Sequence, residues 1–306
     1  MNDAGKPIAI VEAASNLGLK RLRIGVDPGT RKAPQIFREL GLHQQLAARE
    51  IVRVEAAPYT PDEERAANIR NIEPIATHAM ALAAAIGDLV DRNFFPVVLG
   101  GDCSILLGSA LWLSRRGGAG LLFIDGHTDF YLPSQSSTGG AAGMDLALAT
   151  GWGPDALTNI ESRRPYVDIG RVAALGNRDH AFRPAADIPP LSESGAHYCS
   201  FAQMRELGME ESAVAAVHAL NGYDQEFWVH VDVDVLDSKL MPAVDSPQPG
   251  GLGWDDLQAV LETVMKGKVA GLQVTIYDPD LDPDFAAGKR LVSLLTRVLR
   301  ARRPSR

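Results

Sequence analysis

Two short segments combine acidic side chains and a histidine at regular spacing. The segment FIDGHTDF carries Asp125, His127 and Asp129 at every second position, and the segment HVDVDVLD carries Asp232 and Asp234 in the same way. Alternate residues of an extended backbone share one face, so each segment presents these groups together. Carboxylates held this close repel one another unless a cation lies between them. One such segment could be a solvated strand end, but the two together predict convergent metal ligands for a cation such as Mn²⁺.

A third segment, VVLGGDCSIL, places Cys103 where an apolar run changes into a helix-like pattern. A free cysteine in such a place is most often a small buried hydrophobic residue. Turns at the carboxyl ends of parallel strands are, however, also where α/β proteins build their sites. The neighbouring Asp102 could orient a metal ligand or could simply form the turn. These residues alone leave Cys103 as either core or ligand.

The elements that must position these residues follow from the hydrophobic pattern. Seven short runs rich in Val, Ile, Leu and Phe alternate with segments of helical period. This alternation is typical of a mostly parallel sheet that is covered by helices on both faces. Loops rich in Gly, Pro and Ser are predicted over 132–143 and 183–197. Helical spacing predicts helices over 33–47, 66–92, 104–116, 202–219, 254–266 and 286–302.

Composition excludes several classes of protein. A chain of 306 residues with 46% hydrophobic residues is long enough for one large α/β domain, and its net charge of −8 disfavours nucleic acid or an anionic membrane as a partner. The most apolar helical run is interrupted by His78 and Asp88, so it predicts a buried helix and not a membrane span. Two cysteines and an N-terminal segment without a secretory pattern predict a cytoplasmic protein without disulfides. A small molecule is the expected partner.

The three chemical segments also carry a resemblance to a known family. GGDCS, DGHTD and HVDVDVLDSKLMPAVDSPQPGGL resemble, in order and spacing, the signature segments of the arginase/agmatinase ureohydrolase family. The likeness extends over most of the chain, from GVDPGTRKAPQIFRELGL through LGNRD to SPQPGGL. The resemblance implies a single three-layer αβα domain over 1–306, with a central, mostly parallel sheet of about eight strands. It also implies two Mn²⁺ ions per chain, hydrolysis of guanidino groups, and assembly into a homo-oligomer.

The resemblance further implies a role for each ligand position. The family has histidine at position 103, so Cys103 would occupy a metal-ligand position in this chain. A thiolate there would add negative charge, weaken the Lewis acidity of the ions, and favour Zn²⁺ or Fe²⁺ at that position. The implied ligand set is Asp125 and Asp232 bridging both ions, His127 and Asp234 on one ion, and Asp129 with Cys103 on the other.

Three further positions depart from the arginase pattern. Ala142 stands where arginases have a proton-shuttling histidine, Ile276 where the family has a carboxylate for the guanidinium, and Ala181 where arginases have an aspartate for the α-amino group. These departures predict that plain L-arginine is a poor substrate, because a buried cation facing Ile276 would be unpaired. The chain is similar to the Nω-hydroxy-L-arginine hydrolase branch, which has cysteine at the same ligand position and no shuttle histidine. Formimino and other amidine compounds remain open as substrates.

The implied reaction is the attack of a hydroxide, bridging the two metal ions, on a guanidino-type carbon, with release of urea or a urea-like product. Asp129 would orient the hydroxide and pass its proton to the leaving nitrogen. His180 could replace the missing shuttle, or it could be an ordinary loop histidine. His230 could support a ligand from outside the metal shell, or it could be a satisfied core histidine. The polar loop that follows FIDGHTDF holds the candidate substrate contacts Tyr131, Ser137 and Thr138.

Two hypotheses for the function follow. The first is a binuclear metallohydrolase that cleaves a non-peptide C–N bond in a linear guanidine, hydroxyguanidine or amidine. The second is a catalytically retired member of the fold that binds a metal or a metabolite as a scaffold. The missing shuttle and the altered ligand favour the scaffold, whereas converging carboxylates that folding does not need favour the enzyme. Retention of metal distinguishes the two hypotheses.

Overall fold

The structure is a computed structural model that describes residues 5–60, 67–179, 187–221 and 226–302. The strands of these residues form one eight-stranded sheet in the order β2-β1-β3-β8-β7-β4-β5-β6, and every neighbouring pair is parallel. The predicted α/β class and the sheet of about eight strands are therefore confirmed. The strands are β1 (Ile8–Ala14), β2 (Glu50–Glu55), β3 (Phe95–Gly100), β4 (Gly120–Ile124), β5 (Val172–Leu175), β6 (His197–Cys199), β7 (Phe227–Asp232) and β8 (Val269–Thr275).

Helices cover both faces of the sheet, so the molecule has three layers. Alternate residues of β1 show the division: Ile8 and Ile10 pack into one core with α1, α2 and α8 to α10, whereas Ala9 and Val11 pack into a second core with α3 to α6. The α-helices of the described residues are α1 (Ala33–Glu39), α2 (Leu42–Gln45), α3 (Ile72–Asp91), α4 (Leu106–Arg115), α5 (Asp145–Ala149), α6 (Asp155–Thr158), α7 (Phe201–Leu207), α8 (Met209–Asn221), α9 (Trp254–Val264) and α10 (Ala286–Ala301).

Two predicted helices are divided in the structure, each by a glycine with a positive φ. Gly41, with φ of 84°, separates α1 from α2 within the predicted helix 33–47. Gly208, with φ of 103°, separates α7 from α8 within the predicted helix 202–219. Such φ values cost glycine little, and they end a helix that the hydrophobic period alone would continue.

Strand β6 was not among the seven apolar runs, and its first residue falls in the predicted loop 183–197. It is only three residues long, and His197 and Tyr198 are half-buried at the edge of the sheet. An edge strand needs no continuous apolar run, which is why the prediction of a loop up to His197 was wrong at that residue. Among the described residues, no helix has both the length and the apolar character that a membrane span requires.

Candidate metal centre and substrate cavity

The candidate site lies at the carboxyl ends of the four central strands, β3, β8, β7 and β4. Cys103 opens a 3₁₀ turn after β3, the segment 125–129 follows β4, and Asp232 ends β7 with Asp234 in the next turn. Because the strands are parallel, their carboxyl ends meet at one edge of the sheet. This topology brings together side chains that are far apart in the chain, such as Cys103 and Asp232, which are separated by 129 residues.

Asp125, His127 and Asp234 form the first ligand group. Their ligand atoms lie within 4.8 Å of one another, and His127 Nδ1 is 2.8 Å from Asp234 Oδ2. Gly126 makes this approach feasible, because a Cβ at that position would lie 2.8 Å from Asp234 Oδ1 and would also collide with Arg178. The Gly126 backbone N–H donates to that same Oδ1 at 3.1 Å.

Cys103, His230 and Asp232 form the second ligand group, again with ligand atoms within 4.8 Å. The Cys103 thiol donates to Asp232 Oδ2 over 2.5 Å, and the Cys103 side chain is buried. Its sulfur therefore faces a carboxylate and is not surrounded only by apolar atoms. Asp102 forms the turn before it: its carboxylate accepts from the Ser104 backbone N–H at 2.9 Å and from Ser15 Oγ at 2.7 Å.

Asp129 lies beside these groups without joining either of them. It is buried in the wall of the cavity described below and adopts a left-handed backbone with φ of 43°. Burial raises its pKa well above the ordinary value for an aspartate, and the charges of Asp125 and Asp145 raise it further. Its carboxylate thus belongs to the same electrostatic cluster as the ligand groups.

The donor set fits metal cations on physical grounds. Burial, followed by repulsion from neighbouring carboxylates, raises the pKa values of Asp125 and Asp232 well above the ordinary value. Burial lowers the pKa of His127, but the charge of Asp234 and the hydrogen bond to it oppose this effect, and the pKa rises to about 9. Asp125 Oδ2 and His127 Nε2 are buried without a hydrogen-bond partner among the described residues. A divalent cation would relieve the repulsion and would use these unpaired atoms as ligands.

His230 is held in one tautomer by its neighbours. The Trp228 indole N–H donates to Gln273 Oε1 at 3.0 Å, and Ser109 Oγ donates to the same oxygen, so the Gln273 amide nitrogen must face His230 Nδ1, 2.7 Å away. Burial lowers the pKa of His230 to about 3, so the ring is neutral. Since Nδ1 accepts, the proton is on Nε2, which is buried and lacks a partner among the described residues. In this tautomer Nε2 is a donor and offers no lone pair to a metal.

A cavity of about 900 Å³ opens onto both ligand groups. It contains every predicted site residue that the structure describes, except Asp125, which is fully buried beneath it. His180 and Ala181 lie outside the described residues. The predicted residues that line the cavity are Cys103, His127, Asp129, Tyr131, Ser137, Thr138, Ala142, Asp232, Asp234 and Ile276.

Two positions of this cavity that depart from the arginase pattern, Ala142 and Ile276, carry apolar side chains. Ile276 follows β8 with φ of 71°, a value that is unusual for a β-branched residue, and its N–H donates to Gly101 O at 2.8 Å. The side chain of Ile276 is buried in the wall, and Ala142 is buried in the turn before α5. No charge from either position faces the ligand groups.

Sequence reasoning missed several residues of the cavity wall. Asp245 lies in the long segment quoted for the resemblance, but no spacing singled it out from that segment. Lys20 and Arg21 come from the loop after β1, whose apolar and basic mixture resembles an ordinary surface loop. The other charged residues of the wall that the sequence did not predict are Arg178 and Asp179.

Comparisons with known proteins agree with this geometry. A family model described as "Arginase family" matches residues 10–299. The arginase of Bacillus caldovelox is 26% identical over 293 residues, which is 95% of this chain and 97% of that protein. Its native structure at pH 5.6 has a TM-score of 0.84 at 24% identity and covers 96% and 98% of the two chains. Formimidoylglutamase of Bacillus subtilis shares the fold, with a TM-score of 0.71, 18% identity and coverage of 97% and 86%.

Proposed function

The chain belongs to the arginase family, whose members hydrolyse C–N bonds other than peptide bonds in linear amidines, and from this premise we propose its substrate class and its metal requirement. The substrate is a small linear guanidine, hydroxyguanidine or amidine, and the product is urea or a urea-like compound. The observation that carries the proposal is the convergence of two buried ligand groups on the floor of one cavity of about 900 Å³. Folding alone does not require such a cluster of carboxylates.

We propose that the site holds two Mn²⁺ ions, with Zn²⁺ or Fe²⁺ as alternatives at the Cys103 position. The ions would supply Lewis acidity and would make a water nucleophile available near neutral pH. Asp125 and Asp232, which are buried and belong to one ligand group each, would be shared between the ions as the family resemblance implies. His127 with Asp234 would complete one ion, and Cys103 with Asp129 the other.

The remaining residues of the cavity would orient the substrate and move protons. Asp129, in the wall beside both groups, would accept a proton from the nucleophile and deliver it to the leaving nitrogen. Ser137 and Thr138 lie exposed at the mouth, where their hydroxyls can hold a polar tail, and Tyr131 lies deeper. His180 remains a proposed shuttle. Ile276 and Ala142 would keep water away from the reacting end.

We propose that plain L-arginine is not the preferred substrate. Ala142 supplies no proton to the leaving amine, and Ile276 offers no carboxylate to a strongly basic guanidinium, whereas a hydroxyguanidine is less basic than a guanidine and depends less on such a partner. The relatives named arginase require L-arginine to be included in any test. A substrate panel therefore contains L-arginine, Nω-hydroxy-L-arginine, a formimino amino acid and agmatine, with urea or the corresponding amide as the measured product.

The first experiment measures metal per chain by elemental analysis after loading with Mn²⁺ and desalting. The variants are Cys103→Ala and Cys103→His, and Cys199→Ala is the matched control, since Cys199 is buried beside Ser212 and away from the cavity. We expect two ions in the wild type and in Cys199→Ala, and one ion in Cys103→Ala. One ion or none in the wild type, rising to two in Cys103→His, would show that the site has decayed at position 103 and would support the scaffold hypothesis.

A further inference from the structure

One carboxylate in the cavity has no role in the scheme above. Asp245 lines the cavity together with His127, Tyr131 and Ile276, but it belongs to neither ligand group. Among the described residues, its side chain makes no hydrogen bond or ion pair with another residue. A carboxylate that faces a cavity without a partner marks a place where a cation or a donor can bind.

The backbone places Asp245 next to the end of β8. The Asp278 N–H donates to Ala243 O at 2.9 Å, which joins the loop after β7 to the segment after β8. Asp245 lies two residues after the acceptor, and Ile276 lies two residues before the donor. Both line the same cavity, so the carboxylate of Asp245 and the apolar side chain of Ile276 belong to neighbouring parts of one wall.

The cations of this wall do not neutralise Asp245. Arg178 donates to backbone carbonyls, with a shortest distance of 2.7 Å to Asp234 O. Arg21 forms a bidentate pair with Asp27 at 2.6 and 2.8 Å, and Lys20 is exposed at the mouth. Burial, with the charge of Asp234 in addition, raises the pKa of Asp245 to about 6, although His127 opposes this shift. Neither Arg178 nor Arg21 is therefore paired with the carboxylate of Asp245.

We propose that Asp245 binds the cationic amidinium or guanidinium end of the substrate, so that the charge complement comes from the loop after β7 and not from position 276. This inference rests on the proposed function, and it narrows the substrate class to compounds whose reacting end enters as a cation. A guanidinium group would then be paired with Asp245, so the lack of a carboxylate at position 276 does not exclude it as a substrate. The protein would then discriminate among substrates by their tail, which the residues at the mouth contact, and by their leaving group, to which Ala142 supplies no proton.

The test compares two small probes of nearly equal shape, acetamidinium and neutral acetamide, on Mn²⁺-loaded protein. Their methyl signals report binding by ligand-observed NMR, and no turnover is needed. We expect Asp245→Asn to raise the Kd of acetamidinium by about tenfold to a hundredfold and to leave acetamide unchanged. The matched control is Asp280→Asn, which removes the same charge from an exposed pair with Lys32 outside the cavity.

Three results would overturn the inference. They are no binding of acetamidinium to the wild type, equal binding to the wild type and Asp245→Asn, or the same loss for acetamide as for acetamidinium. The substrate panel is scored separately, by product formation. Loss of charge selectivity in Asp245→Asn without any turnover in the wild type would leave Asp245 a cation-binding residue and would refute the proposed hydrolysis. Turnover by the wild type, with the same Kd for acetamidinium in the wild type and Asp245→Asn, would support the proposed hydrolysis and refute the role of Asp245.

Discussion

Cys103 and His230 meet at Asp232, and this contact changes the chemistry of one ligand group. The thiol donates to Asp232 Oδ2, so a cation that takes the sulfur as a ligand must displace this proton. His230 carries its own proton on Nε2 and is stacked on Phe123 with a ring separation of 4.9 Å and an interplanar angle of 6°. The Nε2 proton has no partner among the described residues, and we predict that it supports a ligand of the metal-loaded site from outside the metal shell.

We expect His230→Phe to weaken metal binding by about tenfold to a hundredfold, because residues that support metal ligands typically contribute this much. Phenylalanine keeps the ring that packs on Phe123 but removes the Nε2 donor. The measurement is the Kd for Mn²⁺ by competition with a chelator. Ser109→Ala is the control: Trp228 still holds the Gln273 amide in place, so its Kd should stay within about twofold. Equal Kd values for the wild type and His230→Phe would make His230 an ordinary core residue.

The residues found from sequence and those missed differ in one physical respect. The acidic residues at the ends of β4 and β7 could be found from their residue types and spacing, although the backbone there turns and does not stay extended: Asp234 lies in a 3₁₀ turn, and Asp129 has a φ of 43°. Asp245 could not, because the loop that holds it has no period, and its place depends on backbone bonds such as that from Asp278 N–H to Ala243 O. The tautomer of His230 was equally hidden, since it depends on Gln273 from another strand.

At the scale of elements, the strands were easier to predict than the ends of the helices. β1 was predicted with the bounds Ile8–Ala14 because all of its residues except Glu12 are apolar. The divisions at Gly41 and Gly208 depend on the φ of one residue, which a hydrophobic period does not report. β6 depends on hydrogen bonds from β5, so its three residues carry little signal of their own.

The contact of α3 with β2 predicts a pH effect on stability. His78 of α3 is buried, and its Nε2 lies 3.2 Å from Val54 O of β2. Burial lowers its pKa below the ordinary value of 6.5, although the bond to Val54 opposes the shift. The folded state therefore needs the neutral ring, and stability falls as pH falls below 6.5, where the unfolded chain takes up the proton first.

Urea unfolding of the wild type and His78→Gln at about pH 7.5 and about pH 5.5 tests this effect. The glutamine amide can still donate to Val54 O but does not titrate. We expect the free energy of unfolding to fall less between the two pH values in His78→Gln than in the wild type. Parallel losses in the two proteins would assign the pH effect to other groups.

For the whole molecule, the ligand groups couple metal binding to folding. Buried carboxylates that repel one another make the metal-free fold less stable, and a cation that binds only the folded chain stabilises it by mass action. At about a hundred times its Kd, one ion contributes about 2.7 kcal/mol, which corresponds to a rise in Tm of about 4 °C for a chain of 306 residues. We expect calorimetry to show this rise between chelator-treated and Mn²⁺-loaded protein.

Asp232→Asn provides the comparison for the thermal experiment. It removes the charge of a ligand that we propose both ions share, so its Tm should respond less to Mn²⁺ than that of the wild type. In the presence of chelator, the Tm of Asp232→Asn should be higher than that of the wild type, because the variant lacks one repulsive buried charge. A Tm that rises equally in the wild type and in Asp232→Asn would place the stabilising ion elsewhere on the protein.

The position of β8 has a consequence for the order in which the chain can be assembled during translation. Of the strands that the structure describes, it is the last in chain order, yet it lies between β3 and β7 in the middle of the sheet. Until residues 269–275 emerge from the ribosome, β2-β1-β3 and β7-β4-β5-β6 are two separate half-sheets, with Cys103 on the first and Asp125, His127, Asp232 and Asp234 on the second. A nascent chain that lacks β8 cannot bring Cys103 to Asp232, so we expect complete metal loading only after β8 has emerged.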